Sequence, residues 1–113
     1  MKLSYIYLIE SVDDNEIIYK IGRTKNDPKN RVKQLQTGTA STLILLNDYS
    51  TKYASKLEKM LHNYFKHKKI KNEWFRLDLN DVVNFINICE QCEENIEILI
   101  NSENAFFKKW MNK

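Results

Sequence analysis

The chain has 113 residues, with 18 Lys/Arg against 15 Asp/Glu and a formal net charge of +3, enough for one domain with its own core but not for two. No apolar run is long enough to span a bilayer, and no cationic-then-apolar leader stands at the N-terminus. Two cysteines without an export signal argue against a disulfide scaffold, so the reading is a soluble, cytoplasmic protein. The charge is unevenly spread: residues 1–79 hold 15 Lys/Arg against 9 Asp/Glu, and residues 80–113 hold 3 against 6. A polyanion would dock on the first part and be repelled by the second.

In chain order, "LSYIYLIE" (3–10) and "EIIYKIG" (16–22) are rich in β-branched and aromatic residues and flank the turn-forming "SVDDN". They predict an antiparallel hairpin, with apolar residues on both faces and therefore cover on both. "NDPKNRVKQLQTG" predicts a helix with Asp27 as N-cap, Pro28 in the first position, Val32 and Leu35 along one edge and Gly38 at its end. "LILLNDY" (43–49) predicts a third strand, central in its sheet because it is uniformly apolar at its start. Residues 51–67 predict a second helix with Ala54, Leu57, Leu61 and Phe65 as the buried stripe, and "EWFRL" (73–77) a short extended piece. From about Asp81 to Ile100 a long helix carries Val82, Phe85, Cys89, Cys92, Ile96 and Leu99 at steps of three and four. Polar "NSEN" (101–104) is expected to interrupt it before a short amphipathic tail, "AFFKKWM".

The expected fold is α/β (α+β): a small, mainly antiparallel three-stranded sheet flanked by helices. It comprises a core over residues 1–79 and a helical extension over 80–113, whose stripe either closes the core or makes a homodimer interface through residues 81–100.

Some polar residues break these apolar patterns. Tyr7 and Lys20 lie on neighbouring strands, Arg31 on the first helix, Glu58 and His62 four apart on the second, and Asn72 just before "EWF". In this order and spacing the chain resembles a GIY-YIG nuclease domain. "YIY" (5–7) stands for the first motif and "YKIG" (19–22) for the second. Arg31 in "NRVKQLQTG" is the helical arginine, Glu58 in "EKMLH" the metal-binding glutamate, and Asn72 the late asparagine. The resemblance covers residues 5–78 and is nearest to the short phage- and virus-associated branch whose second motif reads KIG. Tyr5 replaces the first glycine, and Lys20, with Tyr19 beside it, replaces the second tyrosine.

The resemblance implies an endonuclease hydrolysing DNA phosphodiester bonds. Glu58 would hold Mg²⁺ (or Mn²⁺), a hard ion that keeps positions open for phosphate. Arg31 would stabilise the added charge of the transition state. A phenol, with a pKa of about 10, is a poor base at neutral pH unless a cation favours its phenolate. Lys20 is the expected cation, and Tyr7 the expected general base. Lys20 or Tyr19 would otherwise position the water, His62 would relay a proton or hold the phosphate, and Arg23 would contact the DNA backbone. Asn72 is read as a substrate contact.

Taken singly, each residue has a plainer reading. Strand tyrosines pack, Glu58 and His62 make a surface pair, and Asn72 fixes a turn. "KHKKIK" (66–71) is explained nearly as well by a solvated helix end as by a phosphate contact. "CEQC" (89–92) falls on the apolar stripe of a helix, which suits buried thiols better than zinc ligands. Two other functions stay open: a GIY-YIG fold that holds nucleic acid without turnover, and a small interaction protein that pairs through residues 81–100.

Overall fold

The computed structural model describes residues 3–111, with side chains described as far as residue 102. Strands β1 (Ser4–Val12) and β2 (Ile17–Thr24) form the expected hairpin in continuous antiparallel register, with Tyr7 opposite Gly22 and Ile9 opposite Lys20. Asp13 makes the turn, its carboxylate accepting from the backbone N–H of Asn15 and Glu16. Helix α1 (Pro28–Gln36) starts at Asp27, whose Oδ1 accepts from Lys29 N at 2.9 Å, and has proline in its first turn. At its end the Thr37 hydroxyl donates to the Gln34 carbonyl, and Gly38 follows without entering the left-handed region.

Strand β3 (Thr42–Thr51) corrects one expectation. It pairs only with β1 and forms an edge of a five-stranded antiparallel sheet ordered β3-β1-β2-β5-β4. Its apolar run is explained by cover on its faces, with α1 and α4 both packed on the strand, rather than by neighbours on both sides. The sheet also has two more strands than the sequence suggested. After helix α2 (Ala54–Tyr64) and a 3₁₀ turn at Lys66–Lys68, short strands β4 (Lys69–Lys71) and β5 (Trp74–Phe75) form a second hairpin. β5 docks on the free edge of β2, with Tyr19 opposite Phe75 and Lys20 opposite Trp74. Strands of two or three residues carry too little periodicity to be recognised locally.

Helix α3 (Leu79–Val83) opens on a capping box, in which Asp78 accepts from Asp81 N and Asp81 accepts from Asp78 N. Lys68 ties both carboxylates to the 3₁₀ turn, at 3.3 Å and 2.5 Å. Helix α4 (Phe85–Met111) runs straight through residues 101–104, where an interruption was expected. Those residues include no Gly or Pro, the two residues that most strongly disfavour a helix interior. The side chains of the expected amphipathic tail lie outside the described residues.

The core sits between the sheet and helices α2 and α4. It joins Ile6, Leu8 and Ile21 to Leu57, Leu61 and Phe65 of α2 and to Phe85, Cys89, Cys92 and Ile96 of α4. From Phe85 to Ile96 the expected stripe packs on the core, but the single helix expected from Asp81 is divided at Asn84, so that Val82 falls on α3, and Leu99 is exposed; the two cysteines are buried free thiols. Glu93 clamps α4 to β3 by accepting from the Tyr49 hydroxyl at 2.9 Å and from the Thr51 hydroxyl. On the opposite face of the sheet Tyr7 and Ile9 are also buried, on the side where α1 packs. Among the described residues no helix is long and apolar enough to cross a membrane.

Candidate active site

Four parts of the fold converge where β2 meets β5. The hairpin contributes Tyr7, which is only 1% exposed. Its ring lies across Gly22 on the neighbouring strand: a Cβ there would overlap the hydroxyl and come within 2.9 Å of Cε1. The glycine of "KIG" is thus the floor on which the tyrosine rests. Helix α1 contributes Arg31, whose guanidinium sits beside the Tyr7 hydroxyl and also donates from Nη1 to Gln34 Oε1 at 3.4 Å.

Helix α2 contributes Glu58 and His62, one turn apart on one side of the helix. The β4–β5 turn contributes Glu73. The turn is shaped by Asn72, in the left-handed region at φ 54°, a conformation that asparagine tolerates better than most residues. Ile21 N donates to the Glu73 carbonyl at 3.0 Å, fixing this turn against β2. One ligand atom from each of Glu58, His62 and Glu73 lies within 4.8 Å of the others.

The electrostatics of this group are uneven. Lys20 Nζ, nearly buried, lies 2.7 Å from Glu73 Oε2. Burial works against the Glu73 carboxylate, yet the Lys20 hydrogen bond and charge outweigh it and hold its pKa below the usual range. Glu58 has a weaker cationic partner. Burial first, and then the charge and hydrogen bonding of Glu73, push its pKa up, and Arg23 Nε approaches Oε1 only at 3.4 Å. The other oxygen, Oε2, is buried and makes no hydrogen bond among the described residues. An orphaned buried carboxylate oxygen is costly and calls for a proton or a cation. His62 donates from Nε2 to the Ile21 carbonyl at 2.9 Å and stands edge-on to Phe75, which leaves Nδ1 as the acceptor nitrogen of the neutral ring. Two carboxylates and an imidazole nitrogen at this spacing fit a divalent cation; the carboxylates suit Mg²⁺ or Mn²⁺, and the imidazole suits a transition metal better than Mg²⁺.

Tyr7 is held above the ordinary phenol range, chiefly by burial and then by the charges of Glu73 and Glu58, while Arg31 pulls the other way. Next to this group opens a cleft of about 290 Å³, lined by Glu58 and Glu73 on one part and by Arg23, Thr24 and Lys25 on another.

Most of the residues singled out in the sequence are brought together, but two arrive differently. The cation beside Tyr7 is Arg31, and Lys20 is bound to Glu73 instead. Tyr19 is not in the group: it packs against the core, and its charged neighbour is Glu10, opposite it on β1. Arg23 reaches the cleft, and Asn72 is exposed at the turn beside it. Glu73 was missed. The available signal was its place directly after Asn72 at the head of an aromatic strand, but nothing local distinguishes it from a solvated acid.

Comparison with protein-family models matches the T5orf172 domain over residues 4–90. No curated protein and no solved structure matches the chain.

Proposed function

The chain belongs to the T5orf172 domain family, and from that membership and the geometry above we propose that it is a metal-dependent endonuclease of the GIY-YIG type, hydrolysing DNA phosphodiester bonds. The family suggests a nuclease-like or DNA-binding role. The observation that carries the finer reading is Glu58 Oε2, buried and unpartnered within a three-ligand cluster that lines a cleft with a cationic rim.

Glu58, Glu73 and His62 would hold the ion, and Lys20 orients Glu73 by occupying one of its oxygens. When bound, Mg²⁺ or Mn²⁺ supplies Lewis-acid polarisation of the phosphate and stabilisation of the leaving oxygen. Tyr7 Oη takes the proton of the attacking water. Burial holds the pKa of that oxygen above the ordinary phenol range in the free protein, and Arg31 is the group that pulls it back towards the phenolate. Carboxylates whose charge is shared with a cation oppose the phenolate less. The Arg31 guanidinium also faces the negative charge that develops on the phosphate. Arg23 and Lys25 bind flanking phosphates, and Asn72 contacts the same strand.

One observation favours a second reading, a nucleic-acid-binding module without turnover: Tyr7 is buried and its pKa is raised rather than lowered. Incubation of single-stranded, duplex and branched DNA with Mg²⁺ or Mn²⁺ separates the two. Cleavage is expected from the native chain and should fall by about 10²-fold or more in Glu58→Ala and Arg31→Ala. Salt-sensitive binding with no cleavage of any substrate would select the binding module instead.

A further inference from the structure

A second cavity, of about 440 Å³, lies between the far end of α1, the β1–β2 hairpin and β5. That volume is in the range of pre-formed ligand pockets. We propose that it receives an unpaired nucleobase, so that the substrate is DNA with an unpaired nucleotide next to the bond that is cut. The inference rests on the nuclease reading for its cut site, though not for the pocket itself.

The cavity shares two connections with the candidate active site. Lys20 lines it and reaches Glu73 at 2.7 Å, so one side chain is the wall between cavity and cleft. Gln34 also lines it and accepts from Arg31, the partner of Tyr7. Whatever fills the cavity therefore sits one residue away from both the acid cluster and the tyrosine.

The lining matches a base better than a phosphate. Trp74 gives an aromatic wall, with Lys20 Nζ 5.3 Å from its ring centroid, and Leu35 and Leu43 add aliphatic surface. Ser41 and Gln34 offer donors and acceptors at the edge, as a base's Watson–Crick face requires. The charges count against an anion. The Lys20 ammonium is already matched by Glu73, and Asp13 adds a carboxylate. Arg23, half exposed and held to Glu58 only at 3.4 Å, and Lys25 line the other cavity instead, which is the place for the backbone. A base stacked in an intact duplex cannot enter such a pocket, whereas a base in a single strand, flap or loop can.

The test is fluorescence anisotropy in EDTA, where no cleavage occurs, with a labelled single strand and with the same strand carrying one abasic nucleotide. A second strand carries 2-aminopurine at that position. The native chain is expected to bind the intact strand more tightly by about 5- to 100-fold, the usual worth of one base–aromatic stack, and to quench 2-aminopurine. Trp74→Ala and the pocket-filling, non-aromatic Thr39→Met should both abolish the discrimination and the quenching, with circular dichroism confirming their folds. Thr39 lies on an exposed stretch, which keeps the test alive if Trp74→Ala does not fold. Equal affinity for intact and abasic strands, or discrimination that survives both substitutions, would overturn the pocket. Base discrimination without cleavage in Mn²⁺ would leave the pocket standing and remove the nuclease. Cleavage without base discrimination would do the reverse.

Discussion

Replacing Gly22 with alanine tests the link between the KIG motif and the candidate base. Gly22 has an ordinary negative φ, so alanine meets no backbone strain there. The added methyl would overlap the Tyr7 hydroxyl and Cζ and lie 2.9 Å from Cε1, and that ring is only 1% exposed and has little room to retreat. Overpacking of this kind costs about 1–3 kcal/mol. For a domain of this size that lowers the melting temperature by about 4 °C or more for each kcal/mol. Leucine at position 7 lacks all three clashing atoms, so in a Tyr7→Leu background Gly22→Ala should cost under about 0.5 kcal/mol. The coupling between the two sites should then be about 1–3 kcal/mol. The assay is thermal and urea unfolding of the native chain, both single variants and the double variant, followed by circular dichroism. A Gly22→Ala cost that is the same in both backgrounds would refute the claim that the glycine exists to seat the tyrosine. Cleavage should fall in Gly22→Ala alone, even at temperatures where the variant stays folded.

Other outcomes follow from the acid cluster and its surroundings. Because the folded-state pKa of Glu58 is raised, its contribution to stability is full below about pH 4.3 and lost as the pH rises through the raised value. Glu58→Gln should therefore raise the cation-free melting temperature at pH 7, while cancelling the upward shift that Mn²⁺ produces in the native chain. Glu73 has the opposite sign, its contribution being present above about pH 4.3 and lost as the pH falls through the lowered value. Lys20→Met should accordingly destabilise by about 1–3 kcal/mol at pH 7 and by less towards pH 3, in urea titrations across that range. Arg23→Gln and Lys25→Gln together should reduce the slope of log K against log salt for DNA binding by about 1–2, measured by anisotropy. Glu93→Ala should loosen α4 from β3 by about 1–3 kcal/mol, because it leaves the half-buried Tyr49 and the buried Thr51 hydroxyls without an acceptor.

Much of this molecule is legible along the chain. The β1–β2 hairpin, the Asp27 cap with Pro28, the Ala54–Leu57–Leu61–Phe65 stripe and the Phe85–Cys89–Cys92–Ile96 stripe all follow from patterns spanning a few residues, since side-chain periodicity and capping are local. The pairing of Glu58 with His62 is legible for the same reason, because one helical turn brings them together. What tertiary structure alone decides is which residues meet from afar. The Lys20–Glu73 pair spans 53 positions, and it exists only because a two-residue strand docks on the edge of β2. That docking brings Glu73 to the cluster and gives Lys20 a carboxylate partner rather than Tyr7, so that Arg31 stands alone beside the phenol. It also makes Trp74 a wall of the second cavity. β3 lies at an edge because its apolar residues report covered faces and say nothing of neighbours in the sheet. Local patterns encode which face of an element is buried; which charges neutralise one another depends on strand pairing, and no short window of sequence contains that.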